Sequence, residues 1–279
     1  SAPSVGCLSS GDEVLIINLQ GTYTAMDNTG NYETLLVDSV SGTTITFASS
    51  KKNYYGDGLT DDTNLGVTAN TQRVMLQRVP NYRSLTVESG VTFSPSAWDG
   101  AKGGVVFFRA SESANINGEI DATGLGYRGG AAGTGASRGS SGGEAFCGLG
   151  GTGAVSAGVA PNGAGGAGGY YDNTGGNGYC GGGGGQNGLG SENRGGAGGG
   201  AEYAAAGGGA GYGTAGTGGS SYSGGQAESG GENTSGDAQT TTVTYSAGGG
   251  GGTYGVANLS KLFFGSSGAG ATVGTGTTG

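Results

Sequence analysis

The chain has 279 residues, of which 72 are glycine, 4 proline, 3 cysteine and none histidine, and its net charge is -9. Its 11 Lys and Arg are scattered, with only Lys51-Lys52 adjacent, which excludes a basic groove for nucleic acid. Charged residues make up only 11% of the chain, which argues against charge-rich disorder, and no run approaches the roughly 18 apolar residues of a membrane-spanning helix.

Residues 1–50 read as a small antiparallel β module. Ser1-Ala2-Pro3-Ser4 has the look of a mature chain's start. Glu13-Val14-Leu15-Ile16-Ile17-Asn18-Leu19 is a short apolar run closed by Gly21. Tyr32 to Val40 alternates, Ser41-Gly42 supplies a two-residue turn, and Thr43 to Phe47 returns, which predicts a hairpin. Residues 51–72 are polar and rich in turn residues and read as a long surface loop.

The β signal resumes at Arg73–Val79 and stops at Pro80. Ser84–Val87, Val91–Phe93, Gly104–Arg109 and Ala114–Asp121 then read as short strands separated by Gly, Asn and Ser turns, with no helical period. Over 73–123 this spacing suits either a sandwich or the stacked rungs of a parallel solenoid.

From Gly124 to the end the grammar changes. Glycines recur at every third position, as in Gly163, Gly166, Gly169 and in Gly175, Gly178, Gly181, Gly184. Three residues per turn is the period of the polyproline-II helix, and a row of glycines lets such helices approach closely and hydrogen-bond sideways. Collagen needs an unbroken register and much proline, so it is excluded. The expectation is a bundle of short polyglycine-II helices over 124–279. The turns would carry Glu144-Ala145-Phe146-Cys147, Tyr170-Tyr171-Asp172-Asn173, Glu192-Asn193-Arg194, Glu202-Tyr203-Ala204 and Ser220-Ser221-Tyr222. A disordered Gly/Ser linker is the competing reading. Gln239–Ala247 is a lone β-prone segment. Leu259–Phe264 is an apolar cluster that either plugs one end of the bundle or packs on the strands. The tail, Ala269–Gly279, reads as a segment that lies along a neighbouring subunit.

Candidate sites are few. Cys147 and Cys180 both sit at breaks in the glycine period, and a disulfide between them would staple a bundle poor in side chains, as expected outside the cell. Cys7 is then the odd cysteine and a candidate for pairing between subunits. With no His and no Cys-x-x-Cys spacing, zinc has no site. Asp57, Asp61 and Asp62 form a loop cluster that is either a weak calcium site or plain loop solvation. Tyr170, Tyr171, Tyr179, Tyr203, Tyr212 and Tyr222 either contact a glycan or partner, or fill gaps within the bundle and between subunits. Asn233-Thr234-Ser235 and Asn258-Leu259-Ser260 match the N-glycosylation pattern. No acid/base pair or activated nucleophile is recognisable, so no catalytic residue, cofactor or enzyme activity is expected.

Several segments resemble secreted bacterial glycine-rich surface proteins. They are Gly11–Gly21, Val74–Tyr82, Ala97-Trp98-Asp99-Gly100, Gly126-Tyr127-Arg128-Gly129-Gly130 and Leu259–Gly265. The glycine-rich half is similar to the polyglycine-sandwich tips of T-even-like phage tail-fibre adhesins, and that similarity implies a glycine-helix bundle with exposed turns. Gly56-Asp57-Gly58-Leu59-Thr60-Asp61-Asp62-Thr63 resembles a segment near the start of many β-helical polysaccharide-active proteins, although the apolar helix usual after it is missing.

The sequence therefore predicts an all-β amino-terminal part (1–123) with essentially no α-helix, followed by the glycine-rich bundle. The expected function is an extracellular structural subunit of a filament or matrix that self-associates. The alternative is a surface adhesin for glycan or outer-membrane receptors, and a β-helical polysaccharide enzyme acting through Asp61 or Asp62 is a third.

Overall fold

The computed structural model describes residues 8–22, 24–68, 70–128, Glu144, Phe146, Gly148 and 258–263. Among these the structure is all-β. Strands β1 (Glu13–Gln20), β2 (Tyr32–Ser41), β3 (Thr44–Phe47) and β4 (Arg73–Arg78) form one antiparallel sheet in the order β3-β2-β1-β4. No helix among the described residues is long and apolar enough to cross a membrane.

The apolar run of β1 reflects its central position, where both faces are covered. Leu15, Ile17 and Leu19 point into the main core with Met75, Val79, Trp98, Tyr127 and Phe146. Val14 packs on the opposite face with Leu35 and Val37. Further along that face the side chains become the amides Asn18 and Gln20, both buried. The segment 51–72 covers this polar end and is not all surface: Tyr55 and Gln72 are fully buried.

The β2–β3 hairpin forms as expected, with its turn one residue later. Ser41 pairs with Thr44, so the turn residues are Gly42 and Thr43. Gly42 has φ of 58°, and a two-residue hairpin needs a positive φ at its first turn position, which glycine supplies.

Four shorter strands follow: β5 (Asn81–Val87), β6 (Thr92–Phe93), β7 (Arg109–Ile116) and β8 (Glu119–Ile120). β5 pairs with β7 and β6 with β8, both parallel. Asn81 lies beside Arg109 and Thr92 beside Glu119, so the chain makes one circuit and returns to the same lateral position. The expected strand Gly104–Arg109 is not one, and β7 begins only at Arg109. Gly103 and Gly104 both have positive φ, which breaks a strand. The run then divides its side chains. Val105 and Phe107 pack on the main core, whereas Phe108 meets Tyr82 and Phe93. The expected strand Ala114–Asp121 is also split, with Asn117 and Gly118 turning between β7 and β8.

One bracket links the sheet to the parallel pairs. Arg109 donates from Nε and Nη2 to the Glu13 carboxylate at 2.7–2.9 Å, and Asn81 Nδ2 adds a bond of 3.2 Å. This pairing holds the Glu13 carboxyl down at about 2, with the Arg109 hydrogen bonds the largest cause.

Candidate functional site

The acidic loop is built from its own hydrogen bonds. Asp57 accepts from Thr63 Oγ1 (3.2 Å) and Asn64 Nδ2 (2.9 Å), and Asp61 accepts from Thr63 N (3.1 Å). Asp62 accepts from Tyr55 N (3.1 Å) and bridges Lys51 at 2.5 Å. Lys51 lies over the Tyr54 ring, 4.7 Å from its centroid. Asp57 and Asp61 thus both hold Thr63, while Asp62 holds Tyr55 and Lys51. Among the described residues no three His, Cys, Asp or Glu side chains are grouped to hold a metal ion.

Behind this loop lies a layer of buried amides. Asn18 Nδ2 donates to Tyr55 O (3.0 Å) and Gln72 Oε1 (2.9 Å), and Gln72 Nε2 donates to Ala25 O (2.8 Å). Asn28 Nδ2 donates to Gly56 O (3.0 Å) and Gly58 O (2.6 Å). These bonds satisfy loop carbonyls that the sheet cannot reach, as buried backbone requires. Arg73 works the same way, its guanidinium donating to the carbonyls of Gly66, Thr68, Thr71 and Gly100. Burial lowers the Arg73 pKa, and the nearby Glu144 carboxylate acts in the opposite direction. The Tyr55 phenol donates to Glu33 Oε1 (3.0 Å), and burial followed by the Glu33 charge raises its pKa.

The third arrangement is where the two flanks of the glycine-rich segment meet the sheet. On the leaving side, the Glu144 carboxylate is buried and hydrogen-bonded. It accepts from Trp98 Nε1 (3.0 Å), Arg128 N (2.8 Å), Arg128 Nε (3.1 Å) and Arg128 Nη2 (2.5 Å). Hydrogen bonding to Glu144 raises the Arg128 pKa. Tyr127 stacks edge-on against Trp98 with centroids 5.7 Å apart, and its hydroxyl donates to Leu19 O. Gly21 N donates to Phe146 O (2.7 Å) and Gln20 Nε2 to Gly148 O (2.9 Å), so this flank is tied to the end of β1.

On the returning side, Leu262 N donates to Gly30 O (2.9 Å) and Tyr32 OH to Leu259 O (2.9 Å). Lys261 Nζ caps the carbonyls of Asp27 and Thr29. The Phe263 ring lies on Gly30, where a Cβ would come within 2.7 Å of it. Phe263 also meets Phe146, centroid to centroid at 5.3 Å. The Leu259–Phe264 cluster therefore packs, through its described residues, on the strands, and its relation to the expected bundle lies outside the described residues. The glycine-rich segment leaves and returns at one collar, closed by the Phe146–Phe263 contact.

Cys7, Cys147, Cys180, Tyr170, Tyr171, Tyr179, Tyr203, Tyr212 and Tyr222 lie outside the described residues, as do most of the expected glycine bundle over 124–279 and the 269–279 tail. Sequence reasoning gave no role to Trp98 or to the Glu144 carboxylate. A signal existed for both: the one tryptophan of the chain, and a lone acid beside an aromatic at Glu144-Ala145-Phe146 inside a glycine run. With three donors on Oε2 and one on Oε1, Glu144 anchors Trp98 and Arg128 to each other.

Comparison of the chain with protein families, with curated proteins and with solved structures gives no match.

Proposed function

We propose that this protein is an extracellular structural subunit that self-assembles into a surface filament or matrix, with its glycine-rich segment carried on a β platform. The observation behind this reading is the pair of parallel strands β5–β7 and β6–β8. On this reading they are two rungs of a solenoid. Two rungs fall short of the roughly three or more that stacked repeats need for stability. The inward row of the second rung is open: Ile116 and Ile120 are each 41% exposed, whereas Val87, beside Ile116 in the first rung, is 4% exposed. A rung left bare in this way gains most by stacking on another copy, because the same strand polarity is offered at both ends.

The collar supports a second reading, an adhesin. On this reading the anchored flanks hold the glycine-rich segment to the platform, and Tyr170, Tyr171, Tyr203 and Tyr222 would be the residues that touch a glycan or outer-membrane receptor. Both readings take the glycine-rich segment as polyglycine-II helices and place the protein outside the cell, where a Cys147–Cys180 disulfide and an intersubunit Cys7 bond are compatible.

Negative-stain electron microscopy over a concentration series, without reducing agent, separates them. Regular filaments that lengthen with concentration support the structural subunit. Dispersed particles at every concentration, together with glycan binding lost on Tyr170→Ala or Tyr203→Ala, favour the adhesin.

A further inference from the structure

We infer that the junction between copies is made by the β7/β8 edge of one molecule and the β5/β6 edge of the next, in parallel and in the register that already joins the two rungs within a molecule. The inference rests on the structural-subunit reading above and names its interface. Among the described residues each of these four strands has a single partner strand, so β5 and β7 each keep one unpaired edge, at opposite ends of the stack. A parallel stack is directional, so only the pairing of one end with the other continues its strand polarity and register. Such a contact is heterologous and does not close, which is the geometry of a filament rather than of a dimer.

The side chains on the two edges fit a second copy. Within the molecule Arg83 on β5 reaches Glu112 on β7, with Nε to Oε1 at 2.6 Å, and both are well exposed. An added copy that continues the register sets its own Arg83 on the free side of Glu112, giving an alternating ladder of charge along the stack. The same register places its Val87 and Phe93 over the open Ile116 and Ile120, just as Val87 and Phe93 already neighbour them within the molecule. Ser84 pairs with Ser113 and Thr86 with Asn115, so the continued rows are small and polar outside and apolar inside. Opposite charges set side by side across strands favour this register, and like charges disfavour it.

The test uses charge reversal in the full chain. Arg83→Glu alone places Glu against Glu at every junction, and Glu112→Arg alone places Arg against Arg. Each single variant is expected to raise the critical concentration for assembly about tenfold, equivalent to about 1.4 kcal/mol per junction. Mixing the two variants restores an opposite pair at every junction of an alternating polymer, so the mixture assembles near the wild-type concentration. In the mixture each molecule still carries its own like-charged internal pair, so recovery there assigns the single-variant defect to the junction, and the double variant Arg83→Glu/Glu112→Arg, which restores the internal and the junction pair together, also assembles near the wild-type concentration. Ile116→Lys with Ile120→Lys removes the apolar row and abolishes assembly, and light scattering together with sedimentation reads every arm. Single variants that assemble like wild type, or a mixture that stays as poor as its components, overturn this junction while leaving a self-assembling subunit intact. A wild-type chain that never assembles overturns both.

Discussion

Replacing Glu13 by Gln removes the charge that joins β1 to the start of β7 and preserves the shape of the side chain. Glu13 is largely buried, takes three close contacts from the Arg109 guanidinium, and its carboxyl is held down to about 2 from an ordinary 4.5. A shift of that size corresponds to about 3 kcal/mol at about 1.36 kcal/mol per unit. Arg109, however, is 50% exposed, so solvent screening reduces the realised contribution to about 1–2 kcal/mol. The sign follows from the depressed folded-state value. The stabilisation is fully present above about 4.5 and is lost as pH falls from there through about 2. Urea unfolding of wild type and Glu13→Gln, followed by the fluorescence of the single tryptophan, measures the difference. The variant should be less stable by about 1–2 kcal/mol at neutral pH, and the gap should close steadily as the solution is acidified. A gap of constant size across that acid range would refute the bracket as an ionic link and leave only a packing effect.

Other expectations follow from the collar and the amide layer. Phe146→Ala opens a void beside Phe263 and should cost about 3–5 kcal/mol, read by thermal unfolding together with a red shift of Trp98 emission; unchanged emission would mean that the collar does not depend on this ring. Trp98→Phe leaves the Glu144 carboxylate with one donor fewer and should cost about 1.5–3 kcal/mol in denaturant unfolding, because it removes a hydrogen bond to a buried charged group. Gly21→Ala puts a Cβ 2.5 Å from Thr29 Oγ1 and 2.6 Å from Ala25 O, and overpacking of that kind should cost about 1–3 kcal/mol in the same assay, with wild-type stability as the contrary result. In an alkaline absorbance titration Tyr55 should ionise after the exposed tyrosines, since burial and Glu33 hold it protonated. Its contribution to stability is present below the ordinary phenol range and is lost as pH rises beyond it, so a Tyr55→Phe variant whose alkaline unfolding matches wild type would contradict the assignment.

The local signals in the sequence were sound where the physics is local. The β1 run, the hairpin and the β4 segment each carry their own pattern, and the structure forms all three. Pairing of β4 with β1 was not legible, because residues 51–72 lie between the hairpin and β4 and the partner is chosen by burial of the β1 face, not by a turn. The Gly104–Phe108 run shows the converse. Its apolar alternation is real, yet it sends Val105 and Phe107 to the main core and Phe108 to Tyr82 and Phe93, from an extended segment that begins at glycines of positive φ. The collar was hidden for a third reason. Trp98, Arg128, Glu144 and Phe263 are far apart in sequence, and each looks like an isolated large residue in a small-residue context. Residues 97–100, 126–130 and 259–263 supply Trp98, Tyr127, Arg128 and Phe263 to this one place. The Asp57, Asp61 and Asp62 cluster reads in the sequence as one group of carboxylates, and the structure uses each within the loop: Asp57 and Asp61 bond Thr63, and Asp62 bonds Tyr55 and Lys51.

The central claim is that copies of this chain assemble end to end through the parallel strand edges. Cryo-electron microscopy of the full chain above its assembly concentration tests it most directly. The account predicts polar filaments in which strand follows strand along the axis at about 4.8 Å, with no break where one molecule ends and the next begins. Monodisperse single particles, or closed two-fold dimers with the β7/β8 edge still facing solvent, would contradict it.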